Sequence, residues 1–138
     1  MSHLTSAPIR CKAIADLRAA AKHFGGELIE AKTFESYERN QKCDYLIRLP
    51  GVRYEVGIRK DAKTGDFSLH FDPFEADWGP RAEDKHDGNK LVERFGSGLN
   101  LLTQRCAAET VLRAAKRKGV LCSVKTLSNG SLQLRMAV

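Results

Sequence analysis

His70 and Asp72 stand two residues apart in the run Phe67-Ser68-Leu69-His70-Phe71-Asp72. On a strand, residues two apart project to the same face, so an imidazole and a carboxylate would sit side by side. If that run pairs with Val52–Lys60 across the turn Lys63-Thr64-Gly65-Asp66, then Arg53, Glu55 and Arg59 come to the same face. Asp77, His86 and Asp87 follow in the polar segment downstream. Imidazole and carboxylate are suitable ligands for a divalent metal and suitable partners for proton transfer. A wet strand face and a polar loop carry the same charges without any site. His70, Asp72 and His86 are therefore only weak metal candidates, and no metal, cofactor or catalytic residue is expected.

Two other chemistries are conceivable. Ser2, exposed as the terminal residue if Met1 is removed, would have His3 beside it, an arrangement that can activate a nucleophile. An edge strand beginning at these residues accounts for them equally well. The four cysteines, Cys11, Cys43, Cys106 and Cys122, contain no C-x-x-C pair. Zinc sites usually offer closely spaced ligand pairs, so reduced, mostly buried thiols are expected. Neither Gly25-Gly26 nor Gly96-Ser97-Gly98 fits a phosphate-binding loop, because no Gly-Lys-Ser/Thr follows. Ser97 reads instead as the N-cap of the helix after it.

Charge gives a stronger signal. The net charge is +6, with eleven Lys/Arg against seven Asp/Glu in residues 1–60 and five against nine in 61–95. Residues 96–138 hold seven against one. Arg105, Arg113, Lys116, Arg117, Lys118 and Lys125, with Arg135, form the best candidate surface for an anion or nucleic acid. Interleaved aromatics for stacking on bases are missing, and a solvated helix face explains the same cations. Phe74, Asp77 and Trp78 are candidates for contact with a protein partner, since aromatics dominate such sites.

These residues must be positioned by a small set of elements. Residues 12–24 read as a helix, with Ile14, Leu17, Ala21 and Phe24 in one stripe and Gly25-Gly26 as its stop. Residues 27–34 suggest a strand, followed by a polar stretch from Glu35 to Lys42. Residues 44–49, 52–60 and 67–72 alternate as an antiparallel meander with one solvated face. Pro73, Gly79-Pro80 and Gly88-Asn89 mark a long loop over 73–97. A second helix is predicted over Leu99–Lys118, closed by Gly119. Residues 120–126 and 131–136 then form a hairpin about Asn129-Gly130. The expectation is a single α+β domain over 1–138, an antiparallel sheet of about six strands with two helices on one face.

At 138 residues, with 42% hydrophobic and 29% charged residues, the chain can bury a core without disulfides or metal. No apolar run is long enough to span a bilayer, and the first ten residues lack a secretion-signal profile. A cytoplasmic location is expected, with the oligomeric state left open.

Met1-Ser2-His3 and a long C-terminal block carry a family likeness. The block includes Leu101-Leu102-Thr103-Gln104-Arg105-Cys106, Ala115-Lys116-Arg117-Lys118-Gly119 and Ser128-Asn129-Gly130-Ser131-Leu132-Gln133-Leu134-Arg135. In these the chain resembles the hypothetical chloroplast reading frame thirty-five family, a domain of unknown function of plastids, cyanobacteria, other bacteria and phages. Cys106 replaces the aromatic expected after Arg105, and Met136 the tryptophan expected after Arg135. The resemblance implies no reaction. Bacterial members are encoded beside an AAA-type ATPase, which implies an accessory role in a complex. The expectation is thus a non-catalytic adaptor acting through protein contact. A nucleic-acid binder is the first alternative and a small metal-dependent enzyme the second.

Overall fold

A computed structural model of the chain describes residues 5–8, 11, 13–36, 40–72 and 87–137. In chain order the elements are β1 (Thr5–Pro8), α1 (Ile14–His23), β2 (Glu27–Glu30), β3 (Thr33–Phe34) and β4 (Gln41–Lys42). There follow β5 (Tyr45–Arg48), β6 (Val56–Lys60), β7 (Phe67–Phe71), α2 (Asp87–Phe95), a 3₁₀ turn (Ser97–Leu99), α3 (Asn100–Arg117), β8 (Leu121–Thr126) and β9 (Leu132–Ala137).

The α+β class is as expected, but the sheet divides differently. Five antiparallel strands make one sheet in the order β1-β7-β6-β5-β2, while β3–β4 and β8–β9 form separate two-stranded ribbons. The described helices number three rather than two. Residues 87–95, read as loop because of Gly88-Asn89, form α2. Leu91 and Phe95, one turn apart, are fully buried, and that burial outweighs the glycine's low helix propensity.

The alternation of β5, β6 and β7 sorts the sheet into two faces. Leu28, Ile47, Val56, Ile58, Phe67, Leu69 and Phe71 face the helices and share one buried cluster with Leu17, Leu91, Phe95 and Leu102. Leu46, Gly57 and His70 stand in register across β5, β6 and β7 on the opposite face. That second face, expected to be solvated, is partly covered. The β3–β4 ribbon folds over it, and the ring of Phe34 lies where a side chain on Gly57 would be. A glycine inside a strand often marks such a close approach.

The helices are tied by specific bonds. Arg94 donates from Nη1 to the Phe24 carbonyl at 2.8 Å, joining the end of α2 to the end of α1. The chain enters α3 through Gly98 and Leu99, both left-handed, with φ of 60° at each. Leu99 is completely buried, so the core holds a conformation that costs a non-glycine residue about 1–2 kcal/mol. Ser97 therefore begins the 3₁₀ turn and does not cap α3, whose N-cap position is Leu99 with no side-chain cap bond. No helix among the described residues is long and apolar enough to cross a membrane.

Candidate functional site

The basic residues of the last third do not form one uniform surface. Arg113 donates to both carboxylate oxygens of Asp16, from Nε at 2.8 Å and from Nη2 at 3.1 Å. Thr110 Oγ1 donates to the same carboxylate at 2.8 Å. Asp16 is buried at the α1–α3 contact, so this cation is committed to holding two helices together. Arg105 is bound to Glu109 one turn on, with Nη2 to Oε1 at 2.9 Å. Lys116, Arg117, Lys118, Lys125 and Arg135 are exposed. They lie at the end of α3 and on the β8–β9 hairpin.

The hairpin is held against α3 at both ends. At its base, Val120 donates to the Ala115 carbonyl at 2.9 Å after Gly119 (φ 70°) ends the helix. At its tip, Gln104 Nε2 donates to the Gly130 carbonyl at 2.9 Å. The turn itself closes through Leu127 N–H to Ser131 O at 2.8 Å and Gly130 N–H to Leu127 O at 2.9 Å. A small apolar cavity of about 160 Å³ lies at the tip, lined by Phe24, Leu101, Gln104, Arg105, Thr126 and Leu132 among others.

Between these anchors the ribbon is open. The large apolar residues exposed among the described residues all belong to it: Leu121 at 77%, Met136 at 54%, and Leu127 and Leu134 at 38% each. Register places Cys122, Val124, Leu134 and Met136 on one face, and Leu121, Ser123, Lys125, Gln133, Arg135 and Ala137 on the other. An open groove of about 340 Å³ runs along the base, lined by Leu121, Cys122, Ser123, Arg135, Met136 and Ala137. Neither β8 nor β9 pairs with any other strand among the described residues. The sequence predicts the hairpin and a mostly buried set of thiols, yet Cys122 is only half-buried and Leu134 and Met136 are exposed. The alternation itself says which side chains share a face, but not whether anything covers them.

The expected cluster around His70 is only partly assembled. Arg59 pairs with Ser68, one position from His70 on the same face, and His70 Nε2 lies 2.8 Å from Ser68 Oγ. Burial, then the nearby Arg59 charge, holds the imidazole below its ordinary pKa. Asp72 is buried as well. Glu55 is drawn elsewhere: buried, it accepts from Arg48 Nε at 2.8 Å and from the Glu35 N–H at 2.9 Å. Arg53 pairs with Glu35 at 3.3 Å. Among the described residues no group of three or more His, Cys, Asp or Glu is arranged to hold a metal. Phe74, Asp77, Trp78 and His86, with Ser2 and His3, lie outside the described residues.

The described cysteines are all free. In the core the thiols of Cys11 and Cys106 interact, which lowers that of Cys11 and, together with burial, raises that of Cys106. Cys43 donates to the Ala31 carbonyl at 3.3 Å, and burial followed by the charges of Asp44 and Glu55 pushes its thiol up to about 11. The buried thiols of Cys11 and Cys106 pack as small core residues, while Cys43 is half-buried. Comparison with family models, curated proteins and solved structures finds no match to the chain.

Proposed function

We propose that residues 1–138 act as one non-catalytic α+β adaptor unit that works by protein contact, with the β8–β9 hairpin as its docking element. One observation carries this reading: among the described residues, the exposed large apolar side chains gather on a single ribbon that has no strand neighbour. Scattered exposed leucines need no explanation, but a concentrated set beside open strand edges is what a partner surface needs. The family resemblance adds an ATPase of the AAA type as a candidate partner.

A second reading rests on the exposed cations Lys116, Arg117, Lys118, Lys125 and Arg135, which border the same ribbon and would suit a polyanion. The two readings separate in one experiment. The tagged chain is used to capture partners from its host with and without nuclease, beside a variant carrying Leu121→Ser and Met136→Ser. A protein partner that resists nuclease and is lost in the variant supports docking through the hairpin. Partners that vanish with nuclease and persist in the variant support the polyanion reading instead.

A further inference from the structure

An antiparallel ladder alternates the direction in which its backbone groups point. Counting from the Leu127 N–H bond to Ser131 O, the register turns the backbone of Gln133, Arg135 and Ala137 towards β8. The N–H and C=O groups of Leu132, Leu134 and Met136 then face the edge of β9 that has no strand neighbour among the described residues. The same residues carry the half-covered apolar side chains of the ribbon. Natural proteins usually blunt such an edge with charged side chains, proline or a bulge; β9 has neither proline nor bulge, and its one charge is Arg135.

Charge narrows the occupant further. Lys125 and Arg135 lie on the solvent face of the ribbon, diagonal to one another across the register. In residues 96–138 Glu109 is the sole acid, and it is already bound to Arg105. A second copy adding through its own β9 would bring another Arg135 and no acid to this face. A strand with acids at alternate positions would oppose Arg135 directly, at about 0.2–1 kcal/mol for the cross-strand pair, with Lys125 one strand further away on the same face.

We infer that β9 accepts an extended segment of another protein as a third strand, and that this segment alternates apolar with acidic residues. Its apolar side chains extend the row of Leu134 and Met136, and its acids lie beside Arg135, on the face that also carries Lys125 one strand away. Backbone bonds to Leu132, Leu134 and Met136 supply the register. A two-stranded ribbon is marginal by itself, and a third strand with a shared apolar face makes it a stable sheet. This inference rests on the docking role proposed for the hairpin and specifies its chemistry.

The test is selection of random displayed peptides on the full chain. Enriched sequences are expected to alternate apolar residues with Asp or Glu, and their binding is expected to weaken as salt rises. Leu134→Pro deletes an N–H aimed away from β8, so the hairpin ladder is kept while strand addition is blocked. Binding is expected to fall at least 10-fold in that variant. Leu134→Lys, which keeps the backbone and places a charge on the apolar row, is expected to weaken it as well and guards against misfolding of the proline variant. Enrichment of basic or non-alternating peptides would overturn the inference, as would alternating peptides that bind both variants as well as wild type. Self-association that Leu134→Pro abolishes, with no peptide enriched, would identify a second copy as the occupant and overturn it too. A captured protein lost with Met136→Ser but kept with Leu134→Pro would leave hairpin docking standing while removing strand addition.

Discussion

Arg113 and Asp16 are separated by 97 positions and form a two-pronged ion pair that fastens α3 to α1. Asp16 has a side-chain exposure of 3% and Arg113 of 41%, so the carboxylate depends on this partner while the guanidinium still touches water. Arg113→Ala would leave Asp16 buried with Thr110 as its remaining side-chain partner. A loss of about 2–3 kcal/mol is expected in urea unfolding, within the range for removing a hydrogen bond to a charged group. Arg113→Lys should recover only part of it, because an ammonium cannot present two parallel donors. Equal stability in Arg113→Ala and wild type would mean that the pair contributes nothing.

Phe34 and Gly57 are the corresponding contact on the other side of the sheet. Gly57→Ala places a methyl group against the Phe34 ring, at an expected cost of about 1–3 kcal/mol. Phe34→Ala opens that space and should cost about 3–5 kcal/mol. The double variant is then expected to be more stable than the sum of the two effects implies. Strict additivity in thermal or urea unfolding would show that the ring does not occupy the space over the glycine.

His70 sets a pH dependence. Its folded pKa lies below the ordinary 6.5, first through burial and then through Arg59. In the window between the two values the unfolded chain binds more protons than the folded one. Stability from this group is therefore complete above pH 6.5 and declines as the pH falls through 6.5 towards the folded value. Urea midpoints measured from pH 8 to pH 5 should show this decline in wild type and a shallower one in His70→Gln. Identical profiles would assign the pH dependence to other groups.

Cys43 should be slow to alkylate. With its thiol pushed from 9.0 up to about 11, little thiolate exists at pH 8. In a chain whose other cysteines are replaced by serine, the rate of iodoacetamide labelling is expected to keep rising beyond pH 9 towards an inflection near the shifted value. A rate that levels near pH 9 would contradict the burial of this thiol.

The local periodicities were legible in the sequence, and the long-range commitments were not. α1, α3 and the hairpin about Asn129-Gly130 follow from apolar spacing and turn residues, and all three stand where expected. α2 was hidden by Gly88-Asn89, whose low helix propensity is outweighed by burying Leu91 and Phe95. The β3–β4 ribbon has strands of two residues each, too short to show any period. Gly57, inside an otherwise apolar strand, was the one trace of the ribbon's approach. At the surface, charge counting grouped Arg105 and Arg113 with the free cations, because nothing local says that Glu109 and Asp16 hold them. Likewise, alternation in β9 identifies an apolar row but not the absence of a covering layer.

Hydrogen exchange of individual amides, followed by NMR in the full chain with and without a captured or selected binding segment, addresses the docking hairpin most directly. Slower exchange is expected at those of Leu132, Leu134 and Met136 whose N–H groups face the open edge, by at least 10-fold at saturation, with little change at Gln133 and Arg135. Unchanged exchange along β9, with effects confined to Lys116–Lys118 at the end of α3, would contradict docking on the hairpin.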